Sequence, residues 1–355
     1  MKILVATDAW RPQVNGVVRT YERLREEAAP LDAEIIFLTP GEFTTVPCPT
    51  YPEIRLSLPG YGYIGRRMRE IEPDAVHIAT EGPLGWMTRS HCLRKGIPFT
   101  TSFHTRFPDY ISSRFNLPES WIWSVLRPFH NSGAGTMVAT PSLARELEEL
   151  GFHRIMSWTR GVDTELFSPR PVRRFGDDEP VFLYVGRVAI EKNIDAFLNA
   201  DLPGKKVVVG DGPQLQELKV RFPEATFTGK RVGEDLAECY ASADVFVMPS
   251  RTETFGIVIL EAMASGLPVA AYPVTGPIDL ITPGRTGVMS EDLAQAARDA
   301  LQLSRNGVRE KALEYSWEAA ARLFVSNIES ALFAKQGRKV PKRRMRLARR
   351  RPSRA

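Results

Sequence analysis

Two carboxylates, Glu253 and Glu261, lie with seven residues between them where a strand-like run gives way to a helix-like run. Asp244-Val245-Phe246-Val247-Met248-Pro249 reads as a buried strand, and Leu267-Pro268-Val269-Ala270-Ala271 as the next. Between them, Ser250 to Gly266 supplies a Gly-containing turn and a helix, which makes a βαβ unit. In open α/β sheets, ligands bind at the carboxyl ends of strands. A helix starting near Phe255 would aim its N–H groups and positive end at that loop, an arrangement suited to phosphate. Spacing alone leaves two readings. The pair is either a first-turn charge and a solvated helix face, or two acceptors facing one cleft.

Two cations belong to the same chemistry. Pro180-Val181-Phe182-Leu183-Tyr184-Val185 reads as a strand, followed by Arg187 and Lys192 on either side of a strand-to-helix turn. Arg187 by its fork and Lys192 as a point charge could hold a diphosphate; a surface pair is the plain alternative. Gly210, in the strand and turn Lys206–Pro213, suits either a base or ribose close to the backbone or an ordinary tight turn. Near the amino end, the strand Lys2–Thr7 runs into a loop with one glycine, Gly16, and then a helix through Arg19–Leu24. Gly16 either makes a turn or lets a phosphate approach the backbone at the helix start. His77 and His104 end the strands Asp74–Ile78 and Pro98–Phe103, facing one cleft. His77 is read as structural, and His91, His130 and His153 receive no role.

The whole string around the two carboxylates is more specific than their spacing. Phe255-Gly256-Ile257 after Glu253 and Glu261-Ala262-Met263-Ala264 resemble the nucleotide-sugar site of retaining glycosyltransferases of family four, which have the two-domain GT-B fold. Ser102-Phe103-His104-Thr105 matches that family's active-site histidine, and Trp158–Pro169 resembles its hinge segment. Asn15-Gly16, where many members carry two adjacent glycines, and Glu191-Lys192-Asn193 resemble the glycolipid-forming branch, such as sulfoquinovosyl and glycosyl diacylglycerol synthases. The resemblance implies that Glu253 holds sugar hydroxyls, Glu261 the ribose, and Arg187, Lys192 and the Gly16 N–H the diphosphate. It implies that His104 contacts the donor sugar near the reacting carbon, and that Gly210, Phe255, Gly256 and Ile257 line the donor site. It also implies retention by a front-face route, with no metal, no other cofactor and no enzyme nucleophile.

The elements that position these residues form two successive alternations of strand and helix. The expected class is therefore α/β, with two Rossmann-like doubly wound domains and a cleft between them. The expected divisions are 1–160 for an acceptor-side domain and 161–318 for the nucleotide-sugar domain. A helix over 319–335, opened by Tyr315-Ser316-Trp317, crosses back, and 336–355 forms a tail. Within 1–160, Trp121, Ile122, Val125, Leu126 and Phe129 share one helical face, beside Trp123 and Arg127. That face is either core or an interfacial surface for a lipid acceptor.

Composition narrows the class. The chain has 355 residues, 43% apolar and 25% charged, as globular proteins do. Its three cysteines, Cys48, Cys92 and Cys239, are far apart and suggest neither disulfides nor a metal cluster, hence a reducing cytoplasm. The amino end is quickly polar, unlike a signal peptide, and no run approaches the length of a membrane span. Residues 338–355 carry ten cations and no acid against a total charge of +5, so the remainder is about −5. Such a tail is expected to be disordered alone and to bind an anionic membrane surface.

These observations lead to one expectation. The chain should move a hexose or hexuronate from a nucleotide diphosphate sugar, UDP- or GDP-linked, to a membrane lipid such as diacylglycerol or a glycolipid. It should sit on the inner face of the cell membrane. The rivals are a mannosyltransferase with a soluble or polysaccharide acceptor and a nucleotide-sugar epimerase of the same fold. Nucleic-acid binding through the tail is argued against, as the main role, by the second-domain motifs.

Overall fold

A computed structural model of the chain describes residues 1–13, 15–48, 51–58, 60–106, 108, 112 and 117–335. The basic tail lies outside the described residues. Residues Met1–Thr159 together with the segment from Trp317 form one compact unit, and Arg160–Ser316 forms another.

The first unit is built on β1 (Lys2–Ala6), β2 (Glu34–Leu38), β3 (Thr45–Cys48), β4 (Tyr51–Ser57), β5 (Ala75–Ile78), β6 (Phe99–Phe103), β7 (Gly135–Val138) and β8 (Ile155–Ser157). Six of these make one parallel sheet in the order β2-β1-β5-β6-β7-β8. β3 and β4 form a separate antiparallel hairpin. β5, β6 and β7 are buried along their whole length, as strands covered on both faces must be. β6 holds three hydroxyl residues in that buried setting, and each has a partner. Thr100 Oγ1 meets His77 Nδ1 at 2.8 Å, Thr101 meets Thr136 at 3.1 Å, and Ser102 meets His77 Nε2 at 2.9 Å. The helix Trp317–Lys335 belongs to this unit and packs on the helix Gly16–Ala28. Its Phe324 and Ile328 share a core with Tyr21, Leu24 and Trp158.

The second unit contains β9 (Val181–Val185), β10 (Lys205–Val209), β11 (Thr226–Gly229), β12 (Val245–Met248), β13 (Val269–Ala271) and β14 (Gly287–Met289). They form a parallel sheet in the order β11-β10-β9-β12-β13-β14. Strand order reverses between β9 and β12, as it does between β1 and β5 in the first unit. Each sheet is doubly wound, and each reversal opens a crevice at the strands' carboxyl ends.

Two expectations shift. The helix after β12 spans Ile257–Ala264, because Gly256 adopts φ +89°, a left-handed conformation that delays its start past Phe255. The apolar face of the helix Glu119–Asn131 is divided. Leu126 and Phe129 are buried, as is Trp123, whereas Trp121 is 66% and Val125 53% exposed. Trp121 and Val125 are one turn apart and project away from the side that enters the core. Among the described residues no helix is long and apolar enough to cross a membrane.

Candidate functional site

Glu253 follows β12 and Lys192 follows β9, so both lie at the reversal point of the second sheet. The Lys192 ammonium donates to Glu253 Oε2 at 3.0 Å, with both side chains largely shielded from solvent. The backbone N–H of Thr254 donates to Oε1, also at 3.0 Å. Burial opposes the charge on Glu253, but Lys192 and the backbone N–H groups of Thr254 and Phe255 outweigh it. The carboxyl is held below its ordinary value and stays an acceptor at neutral pH. Asn193, in the left-handed region at φ +51°, donates its side-chain amide to the Pro249 carbonyl at 3.0 Å. That bond ties the loop after β9 to the end of β12 and keeps Lys192 opposite Glu253.

The other expected residues of this unit take definite places. Arg187 is half-buried in the loop after β9, its carbonyl accepting from the Tyr184 phenol at 2.8 Å. Gly210 is glycine because of a close backbone approach: a Cβ there would overlap the Gly186 carbonyl of the neighbouring loop. Phe255 is buried, edge-on to Tyr315 with ring centroids 6.5 Å apart. Gly256 caps the helix that Ile257 begins. Glu261 is buried on this apolar helix, and Tyr240 Oη donates to its Oε2 at 2.9 Å. A buried carboxylate needs such a partner.

His104 and Gly16 belong to the first unit. Gly16 opens the helix after β1, and the Asn15 side chain accepts the N–H groups of Val17 and Val18, each at 3.0 Å. Asn15 is thus the N-cap, which explains its place beside the glycine. His104 lies just past β6, and its Nε2 is 3.0 Å from Tyr21 Oη. His77, fully buried, meets the same hydroxyl at 2.9 Å. His130 is also buried, 3.1 Å from Glu81. Sequence reasoning missed Tyr21, Asn193 and Tyr240 as supports; a tyrosine inside an amphipathic helix carries no sign of a polar partner far along the chain. Among the described residues no group of three or more His, Cys, Asp or Glu side chains could hold a metal ion.

Comparison with known proteins agrees with this architecture. A model described as "Glycosyltransferase Family 4" matches residues 14–166, and one described as "Glycosyl transferases group 1" matches residues 179–306. The GDP-mannose-dependent alpha-mannosyltransferase of Mycobacterium tuberculosis (strain CDC 1551 / Oshkosh) is 33% identical over 319 residues, 81% of this chain and 83% of that protein. Sulfoquinovosyl transferase SQD2 of Arabidopsis thaliana is 32% identical over 308 residues, 77% of this chain and 60% of that one. Sucrose-phosphate synthase from Thermosynechococcus elongatus has a similar fold, with a TM-score of 0.77 at 21% identity, covering 94% of this chain and 99% of that one. The chain belongs to the family-four glycosyltransferases and has the GT-B fold. It is a glycosyltransferase that draws on a nucleotide-sugar donor.

Proposed function

We propose that the protein transfers a hexosyl group, with retention and without a metal, from a nucleotide diphosphate sugar to a membrane lipid, and that GDP-mannose is the first donor to test. The observation that carries the donor reading is the Lys192–Glu253 pair at the reversal point of the second sheet. An ammonium has three N–H donors, so Lys192 can hold Glu253 and a phosphate oxygen at once. Arg187, in the same loop, takes the other phosphate with its fork. Glu253, kept ionised, accepts hydrogen bonds from the sugar's hydroxyls, and Glu261 from the ribose. Phe255, Gly256, Ile257 and Gly210 shape the walls. The Gly16 N–H meets the diphosphate, and His104 meets the sugar beside the reacting carbon. Negative charge that develops on the leaving diphosphate is met by fixed cations, which is the largest contribution such a site can make.

The choice of mannose is supported by similarity to the GDP-mannose-dependent alpha-mannosyltransferase of M. tuberculosis. The lipid acceptor is supported by the exposed Trp121 and Val125. The similarity to a sulfoquinovosyl transferase and the resemblance to glycolipid-forming enzymes support it too. The basic tail and this helix face would hold the enzyme on an anionic membrane surface.

The test is turnover of labelled GDP-mannose and labelled UDP-hexoses, each with and without lipid micelles. Lipid-dependent label in the organic phase from one donor is expected. Label that appears only on water-soluble products would overturn the lipid reading, and interconversion of the donor without transfer would favour an epimerase.

A further inference from the structure

His104 is held in a way its own position in sequence does not reveal. Tyr21 Oη, from the helix Gly16–Ala28, lies 3.0 Å from His104 Nε2, 2.9 Å from His77 Nε2 and 3.3 Å from Ser102 Oγ. His77 meets a second hydroxyl, Ser102, through Nε2 at 2.9 Å, and a third, Thr100, through Nδ1 at 2.8 Å. All of these groups belong to the first unit, on the helix after β1, on β5, on β6 and, for His104, just past the end of β6.

A phenol carries one hydrogen, and it can donate to one neighbour only. At least one of the two Nε2 atoms must therefore carry its own hydrogen and donate to the phenol oxygen. The tautomers of His77 and His104 are thus coupled through a single oxygen. The rings are fixed as well as the protons. His104 lies edge-on to Tyr21 at 5.5 Å and to Trp158 at 5.8 Å. Trp158 in turn packs on Phe324 at 5.0 Å and donates its indole N–H to the Ala320 carbonyl at 3.1 Å. The carboxyl-terminal helix thereby backs the histidine through Trp158.

We infer that Tyr21 is a positioning residue that acts on transfer through His104, fixing the ring and tautomer that the sugar meets. The inference rests on the proposed contact of His104 with the donor sugar. The phenol is fully buried, edge-on to the imidazole. It selects which imidazole nitrogen bears hydrogen, and so whether His104 presents a donor or an acceptor.

The experiment is a double-mutant cycle of Tyr21→Phe and His104→Ala, read as kcat and KM with GDP-mannose or with the UDP-hexose that supports turnover. Tyr21→Phe keeps the ring and its packing but deletes a buried hydroxyl, so the fold should be retained with a modest fall in melting temperature. It should lower kcat about tenfold with donor KM nearly unchanged, and should cost nothing further in the His104→Ala background. Full kcat in Tyr21→Phe, or an equal loss in both backgrounds, overturns the inference while leaving His104 in place. Full turnover in His104→Ala alone removes the role of His104, and this inference with it. Nitrogen-15 imidazole spectra of the wild-type protein decide independently of any variant: one fixed His104 tautomer is expected, and an averaged pair of tautomers contradicts the coupling.

Discussion

Lys192 and Glu253 are separated by 61 positions in sequence and by 3.0 Å in space. The parallel pairing of β9 with β12 brings them together, because each follows one of the two strands between which the sheet reverses. The pair gives the second unit a cation and an ionised acceptor at the one place where the topology opens a crevice.

Replacing Glu253 with Gln keeps its size and removes its charge. Transfer should fall by roughly 10²-fold or more, equivalent to about 2.7 kcal/mol of transition-state stabilisation, with the fold intact. Near-normal turnover in a folded variant would contradict the assignment.

The pair also sets an acid limit. Because the Glu253 carboxyl is held below its ordinary value, its contribution to stability is complete above the unfolded value and is lost as pH falls through the folded one. Activity should decline in the same low range. In Lys192→Ala, burial is left less opposed, so the carboxyl binds its proton at higher pH and the acid limb should move upward. Profiles of kcat/KM against pH for both proteins check this, and coincident limbs would show that Lys192 does not govern Glu253.

Arg187→Ala and Lys192→Ala should each weaken a nucleoside diphosphate more than the nucleoside itself, since the proposed contact is with phosphate. Titration calorimetry with both ligands measures the difference; equal losses would remove the diphosphate role.

The placement of the candidate donor-site residues was legible because they stand in short strings at strand ends. Glu253, Phe255 and Gly256 follow a buried apolar run, and Lys192 and Arg187 follow another, so the strand ends that carry these candidates could be read without a structure. The supports were not legible. Tyr21, Tyr240 and Asn193 act through partners far along the chain, and hydrophobic periodicity makes a buried tyrosine look like any other core residue. The edge strand β8 spans only Ile155–Ser157 and is not fully buried, so its pattern is too brief to read. The helix at Trp121 stayed open between core and surface for a different reason: apolar residues on adjacent faces gave one broad stripe, and only packing against β6 and β7 decided which part faces inward.

A structural support outside the donor site is equally open to test. Asp8, at the end of β1, accepts the N–H groups of Leu84 and Gly85 and the Thr80 hydroxyl, at 3.0, 3.2 and 3.1 Å. It thereby satisfies the first turn of the helix Pro83–Lys95. Asp8→Ala leaves buried donors without it and should lower stability by about 2 kcal/mol, read from urea midpoints at unchanged m. An unaltered midpoint would show that these bonds contribute nothing net.

One substitution and one deletion separate the proposed membrane contacts. Trp121→Ser should weaken binding to neutral and anionic vesicles alike, because it removes exposed apolar surface without changing charge. Deletion of residues 338–355 should weaken binding to anionic vesicles only, and added salt should mimic it, since each cation near such a surface contributes about 1 kcal/mol that is screened within a Debye length. Co-sedimentation of both variants decides. Binding like that of the full chain in either one removes that element as an anchor.

The most direct measurement of the central claim is the anomeric configuration of the sugar on the lipid product. Labelled nucleotide sugar, lipid micelles and the full chain are incubated together, and the extracted product is examined by proton and carbon NMR. The account predicts a glycolipid whose new linkage has the same anomeric configuration as the donor. A glycolipid with the inverted configuration would contradict retention, and sugar recovered only on water-soluble acceptors would contradict the lipid assignment.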